Sequence, residues 1–305
     1  MSNKLKGNIL LLITAIGWGS GFAIRKLGSA AIPPMTFNAL RELLGAFFLL
    51  PLLFVTLKKS GYLSPQNGIS TMKYRRNRAI RAGIICGILF TMGSMLQSLG
   101  LATSTAGKSG FITSLYVVLT PFAARLFGTR IQKKSILCII VALIGFALLS
   151  FKGGFSSIQH GDVLLLIGAI FFAFHIAVVG MVIDKDNGIL ISIIQMLFLG
   201  IAGLVVSIPV EHPTFGQFLK CLPPLILCAL VTCAIANTAQ IVGQQYTDAT
   251  SAALILGLES VFSAVFGAMI LGEMMSPRET LGCLVIFAAV IYNQVDFRQL
   301  IGKQK

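Results

Sequence analysis

Apolar residues along this chain form long, nearly continuous runs, and short polar segments separate them. A helix needs about 20 mostly apolar residues to cross the hydrocarbon core of a bilayer. Ten runs come near this length, and turn-forming pairs such as Pro33-Pro34 and Ser276-Pro277 stand between them. The ten predicted spans are residues 7–25, 36–57, 80–101, 106–127, 135–151, 161–182, 189–209, 218–246, 250–271 and 281–295. The pattern predicts an all-α membrane protein with ten transmembrane helices.

Composition supports this prediction, since 56% of the residues are hydrophobic and only 11% are charged. Soluble domains carry roughly 25% charged residues, so an ordinary soluble enzyme, a disordered chain and a secreted disulfide scaffold are excluded. The strands of a membrane β-barrel would alternate in polarity over about ten residues, whereas these runs are continuous. The first run lacks a convincing cleavage motif for a signal peptide, so we expect it to persist as the first helix.

The 24 Lys and Arg residues exceed the 10 acidic residues, which gives a net charge of +14. With the N-terminus in the cytoplasm, the inside segments hold 17 of the 24, the outside segments hold six, and Arg41 lies within a span. Cytoplasmic loops of membrane proteins are enriched in Lys and Arg, so the bias predicts a multi-pass protein of the cell membrane with both termini cytoplasmic. Residues 58–81 are therefore expected to fix topology and contact anionic lipid, rather than nucleic acid.

The cysteines fall in or at the ends of apolar runs and form neither a CxxC motif nor a zinc-binding spacing. They are Cys86, Cys138, Cys221, Cys228, Cys233 and Cys283. We interpret them as small hydrophobic residues. The sequence predicts no cofactor, no metal site and no soluble domain.

Three pairs of segments match between the two halves of the chain, which indicates an internal repeat. Residues 7–16 align with 161–170, 97–112 with 240–255, and 135–138 with 280–283. Each half then holds five spans, and because five is odd the halves must insert in opposite orientations. Inverted repeats that share an interface are common among secondary transporters. We expect the repeats to be residues 1–152 and 153–305, around a central cavity.

Several short motifs, in this order and spacing, resemble the EamA branch of the drug/metabolite transporter superfamily. They are Trp18-Gly-Ser-Gly-Phe22, Arg41, Thr103-Ser-Thr-Ala-Gly-Lys-Ser-Gly-Phe-Ile112, Leu258-Glu259 and Leu271-Gly-Glu273. The resemblance implies two five-helix repeats in which the first four helices of each line a cavity. It also implies a carrier, commonly an exporter of amino acids or other small metabolites. The chain departs from the family at Glu259-Ser260, where no proline matches Pro121.

Polar residues within the spans are candidates for the cavity wall, because such groups are costly in lipid. With the motif residues and possible wall aromatics they are Trp18, Arg41, Gln97, Lys108, Tyr116, His175, Asn237, Gln240, Gln244 and Glu259. Glu259 could bind a proton or a cationic group, or could bond a neighbouring serine or helix end. Arg41 could hold a carboxylate or snorkel to the interface. Because adjacent helical residues point about 100° apart, we do not expect Arg41 and Glu42 to pair.

The amides of Asn237, Gln240 and Gln244 are spaced three and four residues apart, which places them on one helix face. They could line a cavity or form hydrogen bonds between helices. Lys108 could attract an anion or simply mark the outer mouth, and His175 fits a core hydrogen bond better than a proton relay. Pro121 is expected to bend its helix, for gating or for packing.

The favoured function is a secondary carrier that works by alternating access on a small zwitterion such as an amino acid. No GxxxxGK[ST] motif for ATP occurs in the sequence. The alternatives are a membrane-embedded enzyme, which would need a set of catalytic acids or a metal cluster, and a passive channel.

Overall fold

The computed structural model describes residues 2–59, 69–129, 131–150, 159–183, 188–274 and 276–294. Within these ranges the chain is helical and contains no strand. The helices are α1 (Asn3–Ser29), α2 (Pro34–Lys59), α3 (Ile69–Ala102), α4 (Ala106–Ser114), α5 (Tyr116–Leu126), α6 (Lys133–Ser150), α7 (His160–Val182), α8 (Gly188–Glu211), α9 (Phe215–Cys228), a π-helical segment (Ala229–Asn237), α10 (Thr238–Gly243), α11 (Ala249–Leu256), α12 (Glu259–Leu271) and α13 (Pro277–Gln294).

Eight helical stretches in the described residues are long and apolar enough to cross a membrane. They match eight of the ten predicted spans. The other two predicted spans correspond to α6 and α13, which are not among the eight, and the apolar part of α13 covers only Thr280–Asn293. Ten crossings therefore stay a prediction. Six basic residues used to predict orientation lie outside the described ranges: Arg130, Lys152, Lys185, Arg298, Lys303 and Lys305.

The repeat is visible in how two of the spans begin and break. Thr105 caps α4 through the Lys108 amide at 3.2 Å, and Asp248 caps α11 through the Ser251 amide at 3.0 Å. Thr105 and Asp248 are equivalent in the repeat alignment, and a side-chain oxygen at this position satisfies an otherwise unpaired helix amide. When the alignment of residues 97–112 with 240–255 is continued without a gap, Leu115 pairs with Leu258 and Tyr116 with Glu259. Both spans break at this leucine, and both leucines have φ −61° and ψ −13°.

In each of the two halves, α1–α6 and α7–α13, the first helix packs against the other half. We call this arrangement the exchange of first helices. A Cβ atom on Gly7 of α1 would lie 3.0 Å from the Gly243 carbonyl oxygen, and one on Gly161 of α7 would lie 2.9 Å from the Gly100 carbonyl oxygen. These glycine pairs are equivalent in the repeat alignment. In each case the first helix of one half packs backbone to backbone on the third span of the other, which only small residues permit.

The halves run in opposite directions. Near the end of α1, Lys26 donates to the Ser104 carbonyl at 2.6 Å, and at the start of α7, Asp162 binds Lys108 at 2.6 Å. Since Ser104 and Lys108 flank the start of α4, α1 ends on the face where α7 begins. We call it the Glu273 face; it contains residues 29–34, 102–106, 211–215 and 271–274. The opposite, Tyr246 face contains the start of α1 and residues 243–249.

Candidate functional site

A small cavity lies between the halves, and its wall is built from α1, α2, α3, α4, α5, α7, the π-helical segment and α12. The lining residues are Trp18, Gly21, Arg25, Arg41, Phe90, Ser94, Gln97, Thr113, Tyr116, Phe172, Thr232, Asn237 and Glu259. About 30 Å³ is open to the centres of water molecules, which is room for about two of them. No residue of α6 or α13 is among those lining it.

Six of the ten predicted site residues are on this wall, from both halves of the chain. They are Trp18, Arg41, Gln97, Tyr116, Asn237 and Glu259. The other four, Lys108, His175, Gln240 and Gln244, lie elsewhere, so the structure does not bring them to the cavity. Position on the wall assigns no role by itself, and the roles of all ten stay predictions.

Arg41 is bound on every side by protein groups. Its Nε and Nη2 atoms donate to Asn38 Oδ1 at 2.9 and 2.6 Å, and Nη1 donates to Thr232 Oγ1 at 2.9 Å. Nη1 also lies 3.2 Å from Glu42 Oε1. Our expectation that Arg41 and Glu42 do not pair is therefore wrong. The long guanidinium side chain reaches the adjacent carboxylate, and a buried carboxylate without a partner would be strongly unfavourable.

Asn237 connects this ion pair to the tryptophan. Its Nδ2 atom donates to Glu42 Oε2 at 3.1 Å, while its Oδ1 atom accepts from Trp18 Nε1 at 2.7 Å. The Asn237 amide thus donates to α2 through its nitrogen and accepts from α1 through its oxygen. The resulting chain from Trp18 through Asn237 and Glu42 to Arg41 fixes three spans around the cavity.

Arg25 lies on the cavity wall, although it was not among the predicted site residues. The distribution of basic residues predicts that Arg25 lies outside the membrane, but α1 continues to Ser29 and leaves Arg25 only 7% exposed. Its Nε atom donates to the Gly21 carbonyl at 3.2 Å, and its Nη1 atom donates to Gln97 Oε1 at 2.5 Å. The Arg25 Cζ atom also lies 4.7 Å from the centre of the Phe22 ring.

Glu259 and Tyr116 stand at the two helix breaks and are equivalent in the repeat alignment. Glu259 is 2% exposed and accepts one long bond, 3.5 Å, from Ser114 Oγ. This serine contact is one of the alternatives considered for Glu259. The Tyr116 hydroxyl is buried and has no hydrogen-bond partner in the described part of the chain.

The predicted amide stripe divides after Asn237, where the π-helical segment ends and α10 begins. Gln240 Nε2 donates to Gln244 Oε1, and Gln244 Nε2 donates to the Ile176 carbonyl on α7 at 2.8 Å. These two amides therefore form hydrogen bonds within and between helices, the alternative to lining a cavity. A change from π to α winding alters which side chains share a helix face. The sequence spacing of the amides does not reveal this change.

The remaining candidates are also engaged elsewhere. His175 is fully buried; its Nε2 atom lies 3.0 Å from Gln195 Oε1 and its ring 5.1 Å from that of Phe90. Lys108 binds Asp162 on the Glu273 face. Pro121 is buried within α5, several residues beyond the break at Leu115, and its gating role stays a prediction.

Several wall residues besides Arg25 were not predicted: Gly21, Phe90, Ser94, Thr113, Phe172 and Thr232. Hydroxyl residues are common in apolar helices because they can bond to their own backbone, so Ser94 and Thr113 give no distinct signal. Phe172 could have been found, since it is the repeat equivalent of Trp18.

On the Glu273 face, carboxylates of the second half bind helix starts of the first half. Glu273 accepts from the Ala106 and Gly107 amides at 3.1 and 3.4 Å and lies 3.7 Å from Lys26. Glu211 accepts from the Met35 and Thr36 amides at 2.9 and 2.8 Å. Anionic groups are favourable at helix N-termini. These bonds hold the two halves together at this end of the bundle.

Comparison with known proteins agrees with this architecture. The EamA-like transporter family matches the chain twice, over residues 5–151 and 159–293. The chain belongs to this family. An "uncharacterized transporter" of Archaeoglobus fulgidus is 30% identical over 94% of this chain and 85% of its own length. The "uncharacterized inner membrane transporter YedA" of Escherichia coli is 25% identical over 90% and 86% of the two chains.

A solved protein structure with 17% sequence identity matches the fold with a TM-score of 0.65, covering 93% of this chain and 95% of the other. The chain is thus a multi-pass membrane protein of a transporter family, and the predicted resemblance is confirmed.

Proposed function

We propose that the protein is a secondary carrier of the cell membrane that exports a small zwitterionic metabolite, such as an amino acid, by alternating access. The observation that carries the proposal is the polar cavity between two inverted halves. In inverted-repeat carriers the substrate binds at such an interface, and one half moves against the other to open the site to each side in turn.

The size of the cavity supports movement of the halves. Space for about two water molecules does not accommodate an amino acid, so binding requires the helices to separate. The bonds of Glu273 and Glu211 across the halves close one end of the route. A carrier with a closed state fits this arrangement better than a passive channel.

The charge of the wall supports a zwitterion as substrate. Arg25 and Arg41 provide positive charge, Glu259 provides a carboxylate, and Trp18 and Phe172 provide aromatic surface. A ligand with one charge of each sign can match such a wall without leaving a net charge buried in the membrane.

The orientation we propose puts both termini and the Tyr246 face in the cytoplasm, with the repeats divided between residues 152 and 153. The start of α3 supports it, because Lys73, Arg75, Arg76, Arg78 and Arg81 are all exposed and suit contact with anionic lipid. Residues 60–68 of the same basic segment lie outside the described ranges.

Transport by proteoliposomes tests the function. We expect purified protein to catalyse saturable counterflow of at least one amino acid from a labelled panel, stimulated by the same amino acid on the far side. The matched control is Thr113→Phe, which fills the cavity from α4. Absence of saturable flux for every amino acid would remove the proposed substrate class, and unsaturable leakage of small solutes would favour the channel.

Labelling in cells tests the orientation. The six cysteines are all buried, so an introduced cysteine gives the main signal. We expect an impermeant maleimide to label Met274→Cys on the Glu273 face of intact cells, and Arg76→Cys only after the cells are opened. The reverse result would contradict the orientation.

A further inference from the structure

The two buried arginines of the cavity differ in how their N–H groups are used. A guanidinium has five N–H donors and no acceptor. On Arg41 each of the three nitrogens has a protein acceptor, and Nη2 has two, Asn38 Oδ1 at 2.6 Å and Ser94 Oγ at 3.3 Å. Its charge is also balanced by Glu42 at 3.2 Å. Arg41 thus has little capacity left for a ligand.

Arg25 has donors to spare. Only Nε and Nη1 are bonded, to Gly21 and Gln97, and Nη2 has no hydrogen-bond partner among the residues that the structure describes. The residue is buried, with only 7% of its surface exposed, yet no described carboxylate lies within 4.0 Å of its guanidinium. A buried charge without a counter-charge is unfavourable, so this group gains from an anionic ligand.

The wall also holds unused groups of the opposite character. Glu259 accepts one long hydrogen bond, from Ser114, and the Tyr116 hydroxyl has no hydrogen-bond partner in the described ranges. Glu259 lines the same cavity as Arg25, and the two form no ion pair within 4.0 Å in the described ranges. The cation and the anion therefore face the same small space while neither neutralises the other directly.

We infer, on the basis of the carrier function proposed above, that Arg25 rather than Arg41 binds the carboxylate of the substrate. The free Nη2 and the second N–H of Nη1 form the fork that matches two carboxylate oxygens. Gln97 and the ring of Phe22 orient this fork. Arg41 instead joins α2 to α3 and the π-helical segment through Asn38, Ser94 and Thr232.

The protein carries its own probe for this site. Trp18 is the single tryptophan of the chain, it lines the cavity, and its fluorescence reports on the contents. Sodium formate is the first ligand to use, because a carboxylate of this size is close to the space now present. Sodium chloride at the same ionic strength is the control. We expect formate to change Trp18 emission saturably in the wild-type protein.

The variants separate the two arginines. Arg25→Lys keeps the charge but loses the fork, so we expect the half-saturating formate concentration to rise roughly tenfold or more, and Arg25→Gln to abolish the response.

Arg41→Lys should lower the melting temperature with a smaller shift in formate binding. Lys26→Gln removes a neighbouring charge outside the cavity and should leave formate binding nearly unchanged. Gln97→Met, which removes the orienting amide, should weaken binding even if Arg25→Gln fails to fold.

A second set of ligands keeps this inference distinct from the proposed function. Non-fluorescent amino acids should alter Trp18 emission, and their carboxamides should bind much more weakly. If formate binds through Arg25 but no amino acid binds, the anion site stands and the proposed substrate class fails. If amino acids and their carboxamides bind equally, or if Arg25→Gln retains the wild-type formate response, or if formate has no effect on the wild-type protein, the assignment of Arg25 is overturned.

Discussion

The two halves of the protein share a backbone plan but use their polar side chains differently. In the first half, Arg25, Gln97 and Thr113 open onto the cavity. In the second half, His175 pairs with Gln195, and Gln240 with Gln244, away from it. Gln97 and Gln240 are equivalent in the repeat, as are Gly21 and His175. Duplication thus provides a symmetric scaffold, whereas the site is asymmetric because equivalent positions such as Gln97 and Gln240 contact different groups in the two halves.

The largest difference in transport is expected between variants of the equivalent residues Tyr116 and Glu259. Replacement Glu259→Gln removes the negative charge of the wall, and we expect transport to fall on the order of 100-fold, since a bond between charged groups is worth about 1.5–3 kcal/mol. Tyr116→Phe removes one neutral hydroxyl and should cost roughly fivefold. Initial rates of counterflow measure both.

The same Glu259→Gln variant tests proton coupling. If Glu259 carries the coupled proton, the dependence of transport on a pH gradient should disappear in the variant. An unchanged dependence would remove Glu259 as the proton site, and equal losses in Glu259→Gln and Tyr116→Phe would contradict the asymmetry.

The next comparison concerns the two equivalent glutamines. Gln97→Leu leaves the Arg25 guanidinium without its side-chain acceptor, so we expect about tenfold slower transport at low substrate concentration. Gln240→Leu removes the hydrogen bond to Gln244 and should lower the melting temperature while leaving transport within about twofold. Counterflow rates together with thermal unfolding test this. Similar transport losses in both variants would show that Gln240 also serves the site and would contradict the asymmetry.

A smaller effect is expected where the second half closes over the first. Glu273→Gln weakens the bridge from Glu273 to α4, and we expect labelling of a Thr113→Cys reporter from the outside to be roughly fivefold faster, for a loss near 1 kcal/mol. Thr105→Ala is the matched control. It also removes a hydrogen bond at the start of α4, but both partners of that bond belong to the first half. Equal acceleration by both variants would indicate helix fraying instead of separation of the halves.

The smallest effects are expected where the halves are alike. Thr105 and Asp248 cap equivalent helices with one side-chain bond each. Alanine at either position should reduce stability by about 1 kcal/mol, measured by thermal unfolding in detergent. A large difference between them would mean that the asymmetry extends to the scaffold.

Much of the scaffold follows from the sequence for physical reasons. The length of an apolar run is dictated by the thickness of the bilayer, so eight spans could be located from hydrophobicity alone. The repeat could be found because packing preserves small residues at close contacts, as at Gly7 and Gly161, where any side chain would collide with the facing helix.

The site was harder to predict because it depends on side-chain reach and helix register. Arg25 was missed since a charged residue near the end of an apolar run fits equally well outside the span. The Arg41–Glu42 pair was missed because the 100° rotation between adjacent helical residues describes the backbone only. The arginine side chain is long enough to reach the neighbouring carboxylate. Gln240 and Gln244 matched a helical stripe, yet the π-helical segment before them changes which groups face the cavity.

The exchange of first helices has a consequence for biogenesis. Since α1 packs on the third span of the other half through Gly7 and Gly243, the nascent first half enters the bilayer well before the partner surface for its opening helix has been synthesised. Folding therefore resembles the docking of two subunits that share one polypeptide, with completion delayed until the second half is inserted. An ancestor of a single repeat would have needed two antiparallel copies to bury the same glycines.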